Sequence, residues 1–574
     1  MINKELAKIF LEMAELMAVD DVPFKPQAYE RASESVGSFS EDVKSVYKEG
    51  GIPALKNIPG VGQGLAEKIE EYVSTGHIKE YEQLKKKLPV DIAGLTKIEG
   101  VGPKGIKVLW QKLGIKTVAD LEKAAKAGKI ATLPRFGKKS EDKILKGIEF
   151  VKSHGGRFVL GDIRPYVKEL ESELKSWKGV DELVIAGSFR RWKETVGDID
   201  IIAVSKKPRP VMNNFVRMKD VAHVYAHGET KSMVRMKNGL DVDIRVIPEE
   251  SFGAALNYFT GSKEHNVALR ERAIKKGYKL NEYGLFKGAK RIAGRTEEEV
   301  YKTLGLQYVE SEMRENKGEI ELAAKNNLPR IIGYKDLKGD LQTQTDWTDG
   351  NNSIMEMALA AYKYGLEYIV ITDHTRTLAM TGGADEKKLV RQMAEIDKVN
   401  LELKKRGIKF RVLKGAEVNI LADGKLDIND KTLAMLDCVG AAVHTNLKLS
   451  RADQTKRVIR AMENPNVDII FHLSDRLIQK REPIELDFDE ILRAVKRTKT
   501  ILEIDGEPHR LDLKDEHIRI AREAGIKFSI DSDAHAISHF AFLEFGIAQA
   551  RRGWCEAKDI INTLPIEKML QMLK

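Results

Sequence analysis

Two short acidic runs carry the first chemistry legible in this chain. Asp198 and Asp200 stand two apart in Gly197-Asp-Ile-Asp-Ile-Ile202, and Asp241 and Asp243 stand two apart in Asp241-Val-Asp-Ile-Arg245. Residues two apart on a strand share a face, and Ile199, Ile201 and Ile202 seat the first run on a strand against a core. Carboxylates that close repel one another unless a cation lies between them. Asp198, Asp200 and either Asp241 or Asp243 make an oxygen-ligand set for two Mg²⁺ or Mn²⁺ ions roughly 4 Å apart, which suits in-line phosphoryl or nucleotidyl transfer. One ion would activate an attacking 3′-hydroxyl, both would hold the α-phosphate, and the second would carry the leaving pyrophosphate. Upstream, the Gly187-Ser188 turn offers N–H and hydroxyl donors to a triphosphate, with Arg191 close by.

A second constellation lies in the C-terminal half. Apolar runs there end repeatedly in a polar residue: Tyr368-Ile-Val-Ile-Thr-Asp-His374, Val412-Leu-Lys-Gly-Ala-Glu417, Val439-Gly-Ala-Ala-Val-His444, Asp468-Ile-Ile-Phe-His472, Ile501-Leu-Glu503 and Phe528-Ser-Ile-Asp-Ser-Asp-Ala-His535. Charged helical stretches separate them, so the pattern predicts a parallel β/α barrel with a site at the C-terminal ends of its strands. Asp349, His374, Glu417, His444, His472, Asp533 and His535 fall at or just after those ends. Their mixture of imidazole and carboxylate suits Zn²⁺, Mn²⁺ or Fe²⁺ acting on a phosphodiester.

The elements in front of these sites are helical. Residues 1 to about 153 read as short helices, beginning with the amphipathic stretch Lys4 to Met17. A pattern repeats: Leu55-Lys-Asn-Ile-Pro-Gly-Val-Gly62 and Leu95-Thr-Lys-Ile-Glu-Gly-Val-Gly102 each lead into a helix, with a degraded third copy at Leu133-Pro-Arg-Phe-Gly137. Gly60, Gly62, Gly100 and Gly102 permit close backbone approach, and the helix start offers free N–H groups to a phosphate. These turns resemble the helix-hairpin-helix motif, which grips the DNA backbone without reading sequence; an ordinary helix–helix turn is the plain alternative. Between Lys97 and Arg157 stand fifteen basic and six acidic residues, so this block alone holds the chain's net charge of +9. A polyanion partner follows most simply.

The chain has 574 residues, enough for about four domains. With 42% hydrophobic and 32% charged residues it excludes wholesale disorder. Its apolar runs are strand length, too short to cross a membrane. Met1-Ile-Asn-Lys-Glu is no signal peptide, and two cysteines make no disulfide framework, so a cytoplasmic setting is expected. Strands are expected at Leu183–Ala186, Ile199–Val204 and Val242–Ile247.

Gly187-Ser188, Arg190-Arg191 and Gly197-Asp-Ile-Asp200 resemble the signature of the nucleotidyltransferase superfamily. Asp243-Ile-Arg245, Tyr258-Phe-Thr-Gly-Ser262, Asn266, Arg270 and Asn281-Glu-Tyr-Gly284 narrow the resemblance to family X DNA polymerases, the family of DNA polymerase beta. It implies that Asp198, Asp200 and Asp243 ligate Mg²⁺, that Ser188 and Arg191 contact the β- and γ-phosphates, and that Gly197 lies against the incoming nucleotide. It implies that Tyr258, Phe259 and Gly261 form the turn facing the sugar, that Asn266 meets the base edge and that Arg270 reaches the template strand. Arg157 is a weaker phosphate candidate. Lys68 matches the lysine that in this family can form a Schiff base with a 5′-deoxyribose phosphate, although the neighbouring family lysine is Gly64 here. The C-terminal segment resembles the PHP phosphoesterase domain of prokaryotic family X polymerases, which cleaves DNA 3′→5′ or at abasic sites. Thr372-Asp-His374 and Asp533-Ala-His535 are its signature pieces, but its opening His-x-His reads Gln342-Thr-Gln344 here, while Asp349 is kept. A glutamine carbonyl substitutes poorly for imidazole on Zn²⁺ or Fe²⁺, so one metal position is expected to be weakened.

The expected architecture is multidomain, α+β and α/β. Helix-hairpin-helix domains occupy 1–90 and 91–153, a nucleotidyltransferase palm 154–250, a thumb-like subdomain 251–314, a linker 315–335 and a distorted PHP β/α barrel 336–574. The expected function is template-directed DNA synthesis across short gaps, as in base excision repair, by a monomer acting on gapped or primer-template DNA and dNTPs. A non-catalytic scaffold binding DNA ends and an untemplated terminal transferase are the alternatives.

Overall fold

The computed structural model describes the whole chain except residues 1, 21, 23, 24, 38–42, 59, 96, 97, 99, 100, 135, 155, 379 and 380. The chain divides into two units. The first comprises Met1–Phe158, Glu173–Gly187 and Gly197–Leu306; the second comprises Val159–Ser172, Ser188–Val196 and Gln307–Lys574.

The first unit opens with helix Ile2–Val19, whose Leu6, Phe10, Met13 and Met17 line one buried face. Each hairpin turn then repeats one hydrogen-bond pattern. Ile58 N donates to Leu55 O, Val61 N to Ile58 O and Ala66 N to Gly62 O. Ile98, Val101 and Ile106 do the same onto Leu95, Ile98 and Gly102, and Leu133, Phe136 and Glu141 onto Ile130, Leu133 and Gly137. The degraded third copy is therefore a third turn of the same build. Its Ile130 is buried, and Leu133 and Phe136 are partly buried against the same cluster, because an isolated short helix is marginal and gains stability from its packed face.

In strand order along the chain, β1 (Phe158–Val159) pairs with β3 (Thr195–Val196). The palm sheet has β2 (Glu182–Ile185), β4 (Asp198–Val204), β7 (Asp241–Ile247), β6 (Lys231–Met236) and β5 (Val221–His227) side by side in that order. β4 and β7 run parallel, with Asp198 opposite Asp241 and Asp200 opposite Asp243. The β5–β6 hairpin was not legible in the sequence, because its exposed β5 carries histidines where an apolar alternation would signal a strand. Helices Phe252–Thr260 and Lys263–Lys275 follow, then a three-stranded sheet of β8 (Lys279–Asn281), β9 (Gly284–Lys287) and β10 (Lys290–Ala293).

The second unit is built on seven parallel strands: β11 (Gly339–Thr343), β12 (Tyr368–Ile371), β13 (Arg411–Asn419), β14 (Cys438–Ala442), β15 (Ile469–Ile470), β16 (Ile501–Asp505) and β17 (Phe528–Asp531). Thr343 pairs with Ala534 beyond β17, and Gln344 N donates to Ala534 O at 2.8 Å, which nearly closes the ring. Alternation sorts the side chains into two apolar clusters. Leu341, Tyr368, Val370, Leu413, Ile469 and Phe471 form one, while Ile369, Ile371, Val412, Val439, Ile470 and Leu502 join the helices in the other. The first is tight enough that a Cβ on Gly440 would fall 1.8 Å from the Phe471 ring.

The polar stretch 315–335, expected as a linker, is instead packed in this unit. It carries helix Glu319–Ala324 with Glu319 buried, and Arg551 donates to Ile332 O at 2.7 Å. Glu315 pairs with Arg191 and Arg552, and buried Glu319 accepts from Asn316 N and Lys317 N, which is how such polar groups stay inside a fold.

Candidate active sites

In the palm, the register of β4 and β7 gathers Asp198, Asp200, Asp241 and Asp243 on one face. The four differ in their partners. Arg235 on β6 holds Asp241 in a bidentate pair, Nε to Oδ1 at 2.7 Å and Nη2 to Oδ2 at 2.8 Å. Asp243 lacks such a clamp: Lys231 and Arg245 stand 3.5 and 3.6 Å from Oδ2, and Oδ1 is buried without a hydrogen bond. Burial raises the Asp243 carboxyl, with Lys231 and Arg245 offsetting only part of it. Desolvation and then the charge of Asp241 raise Asp198, while Arg157 pulls the other way. Raised, mutually repelling carboxyls with an orphaned oxygen fit a divalent cation. Gly187, at φ +64°, is required on both counts: a Cβ there would stand 2.6 Å from Asp200 Oδ2. At Gly197 a Cβ would meet the Arg157 guanidinium at 3.3 Å.

The helix Phe252–Thr260 delivers Tyr258 and Phe259, whose rings stack edge to face at 5.0 Å, and ends at Gly261 with φ +69°. Asn266 Nδ2 donates to Tyr258 O at 2.6 Å and Arg270 Nε to Asn266 O at 3.3 Å, so these residues form one connected turn. The buried Asn266 Oδ1 has no hydrogen-bond partner. Sequence reasoning missed what fixes this turn: His265 Nε2 lies 2.7 Å from Tyr301 Oη, which donates to Asn257 Oδ1 at 3.1 Å. It also missed Arg235, whose role depends on a strand register that spacing alone does not reveal.

Ser188 and Arg191 fall in the second unit. The turn Gly187–Arg190 carries Ser188, and Arg191 Nε donates to Glu315 Oε1 at 3.2 Å.

In the hairpins, Gly60 has φ +79° and so needs to be glycine. Gly62 and Gly102 are different. Both are extended N-caps, at φ −83° and −91°, with nothing within 4 Å of an added Cβ. The fold itself does not demand glycine there, and the space beside each Cα is open. Gly100 lies outside the described residues. Lys68 Nζ sits 2.6 Å from Glu80 Oε2, with Lys25 3.6 Å from the other oxygen. Burial raises Glu80, but Lys68 and Lys25 outweigh it and leave the carboxyl below its usual range.

At the barrel's strand ends the other six expected residues are linked to fully buried Glu417, three directly and three through His374. Its Oε1 lies 2.8 Å from His472 Nε2 and 3.0 Å from His444 Nε2. Its Oε2 lies 3.2 Å from His374 Nδ1, which is not aligned to hydrogen-bond it. Asp349 Oδ2 stands 3.7 Å from both His374 Nε2 and His535 Nε2, and His535 Nδ1 is 3.7 Å from Asp533 Oδ1. Ligand atoms of Asp349, His374 and His535 lie within 4.8 Å of one another, as do those of His374, Glu417 and His444. Burial would raise Glu417, but the imidazoles of His374, His444 and His472 hold it well below its usual range. Imidazole and carboxylate atoms clustered this closely, with His374 Nδ1 buried and unbonded, fit divalent-ion ligation. Gln344 Nε2 donates to Glu417 Oε2 at 2.9 Å, whereas both terminal atoms of buried Gln342 are without partners.

Two supports were invisible in the sequence. Asn419 Oδ1 lies 2.8 Å from His444 Nδ1, which turns Nε2 toward Glu417. Asp373, inside the Thr-Asp-His signature, accepts from Thr345, Thr348 and Gln392 and so anchors the loop that carries Asp349.

A carboxylate-bearing palm behind hairpin turns, joined in one chain to a parallel barrel with a His/Asp/Glu site, defines a nucleotidyltransferase coupled to a metal phosphoesterase fold. The chain belongs to the family X DNA polymerases of the PolX type. It is 34% identical over 577 residues to the DNA polymerase/3′-5′ exonuclease PolX of Bacillus subtilis (strain 168), covering 100% of this chain and 99% of that one. DNA polymerase lambda of Rattus norvegicus is 26% identical over 333 residues, 53% of this chain and 54% of its own. Family models match for the DNA polymerase beta thumb at 255–315, a helix-hairpin-helix domain at 1–78 and a SAM-like helix-hairpin-helix tandem at 92–149. A solved ternary complex of Leishmania infantum polymerase beta is 28% identical, covering 39% of this chain and 97% of that one, at a TM-score of 0.31.

Proposed function

We infer that this chain is a template-directed DNA polymerase that fills short gaps in DNA repair, joining a dNTP to a primer 3′-hydroxyl. The observation that carries it is the register that sets Asp200 beside Asp243 and Asp198 beside Asp241, with Arg235 withdrawing Asp241. Asp198, Asp200 and Asp243 would hold two Mg²⁺ or Mn²⁺ ions, which supply charge neutralisation at the α-phosphate. Ser188 and Arg191 bind the β- and γ-phosphates, Tyr258, Phe259 and Gly261 face the sugar, and Asn266 offers a buried acceptor to the base edge. The hairpin turns bring backbone N–H groups to DNA phosphates. We take the enzyme to act as a cytoplasmic monomer. No described helix is long and apolar enough to cross a membrane.

The barrel is read as a 3′-5′ exonuclease-type domain. Asp349, His374, Glu417, His444, His472, Asp533 and His535 would hold Zn²⁺, Mn²⁺ or Fe²⁺, and Gln342 and Gln344 weaken one position. Lys68 as a lyase nucleophile would have to leave Glu80 first. A time course on a 5′-labelled primer annealed across a short gap, with and without dNTPs, tests both sites. Template-matched extension is expected; its absence would overturn the polymerase reading. Shortening without dNTPs would reveal cleavage by the barrel.

A further inference from the structure

The phosphate-contacting turn is tied to elements remote from the palm in sequence. The segment Ser188–Val196 clusters with the unit that contains the barrel. Arg552, buried near the end of helix Leu543–Arg552, donates through Nη1 to Arg191 O at 2.7 Å and to Glu315 Oε1 at 3.2 Å, and through Nη2 to Asp515 Oδ2 at 2.6 Å. The same Glu315 oxygen accepts from Arg191 Nε at 3.2 Å and stands 3.9 Å from Lys193 Nζ. One buried ion pair thus holds both the main chain and the side chain of Arg191. Arg191, Lys193 and Arg552 would repel one another without Glu315 between them, and a guanidinium as buried as Arg552 is costly unless paired.

We propose that Glu315 and Arg552 are positioning residues for Arg191 in triphosphate binding. This rests on the polymerase reading above. Removing the charge of Glu315 is expected to loosen the hold on Arg191 without touching the carboxylates of the palm.

The test is steady-state single-nucleotide gap filling by the full chain and its variants. Glu315→Gln is expected to raise the dNTP KM about tenfold, with kcat and the Kd for gapped DNA changed by less than about twofold. Inhibition by pyrophosphate should weaken in parallel, because Arg191 acts on the phosphates that leave as pyrophosphate. Glu315→Asp should recover most of the affinity. In the double variant Arg191→Ala with Glu315→Gln, the KM should equal that of Arg191→Ala alone, since Glu315 acts through Arg191. An unchanged KM in Glu315→Gln, or additive effects in the double variant, would overturn the proposal. So would a joint change in KM, kcat, DNA affinity and melting temperature, which marks a purely structural role. Should Glu315→Gln not fold, Arg552→Lys, which keeps the charge but loses the fork of donors, is expected to give the same KM rise and is judged by the same outcomes. If the wild-type protein does not extend primers, the polymerase reading fails instead, and the two failures are distinct.

Discussion

Four carboxylates share the face of β4 and β7, yet they are not equivalent, and the difference is set by a neighbour on β6. Arg235 takes both oxygens of Asp241, while Asp243 keeps a buried, unbonded Oδ1. Asp243→Asn should therefore cut incorporation by roughly a thousandfold, because on the proposed reading it weakens the hold on the divalent ion that would neutralise the reacting phosphate. Asp241→Asn should change incorporation by less than about fivefold and stability by about 0.5 kcal/mol, the worth of a partly exposed pair. Parallel gap-filling rates for the two variants check this, with DNA affinity measured alongside to show that both still bind. A reversed order would exchange the roles of Asp241 and Asp243. The sequence held the four aspartates and their spacing, and a family resemblance ranked Asp243 above Asp241; the physical cause of that ranking, Arg235, depends on the β6–β7 register and was not legible.

At the scale of elements, the strands with clean apolar alternation were readable: Glu182–Ile185, Asp198–Val204 and Asp241–Ile247 sit within a residue or so of the expected runs. The Val221–His227 strand was not, and neither was the six-residue helix Glu319–Ala324, too short to show a helical repeat of apolar positions. Hairpin glycines make a sharper case. Gly62 and Gly102 are unconstrained by their own fold, so Gly62→Val with Gly102→Val should leave the melting temperature nearly unchanged while weakening DNA binding by about tenfold, by blocking approach of the backbone. Equal losses of stability and affinity would mean that the glycines serve the turns alone. In the barrel, burial pushes Asp468 up to about 6 although Val439 N and Lys574 N donate to it. A carboxyl that takes its proton more readily when folded adds stability that is full below the unfolded value near 4 and is lost as pH rises through about 6. The loss is on the order of 2 kcal/mol. Denaturant melts should then show wild type exceeding Asp468→Asn by more at pH 4.5 than at pH 8; an equal margin at both would refute the raised carboxyl.

On the scale of the whole molecule, the chain matches its PolX relative from end to end, and its barrel's opening strand carries Gln342 and Gln344 where the PHP resemblance implies histidines. Gln344 spends its amide on Glu417 at 2.9 Å, and Gln342 buries both terminal atoms unpaired. An unsatisfied buried amide costs about 1–3 kcal/mol, a cost that a metal ligand would not incur. The seven imidazole and carboxylate side chains proposed as ligands still lie together, so ion binding should survive in reduced number. Metal content measured after gel filtration in Mn²⁺ should rise by about one ion per chain in Gln342→His with Gln344→His, since imidazole binds such ions where the amide does not. The same variant should shorten a primer faster without dNTPs while its extension with dNTPs stays unchanged, because Asp198, Asp200 and Asp243 belong to the other unit. If metal content did not rise, the glutamines would be neutral replacements and the barrel's activity would have to be limited elsewhere. If metal content rose and cleavage did not, the barrel would be a metal-bearing structural partner of the polymerase, and the chain would have kept the fold of a nuclease for the support it gives.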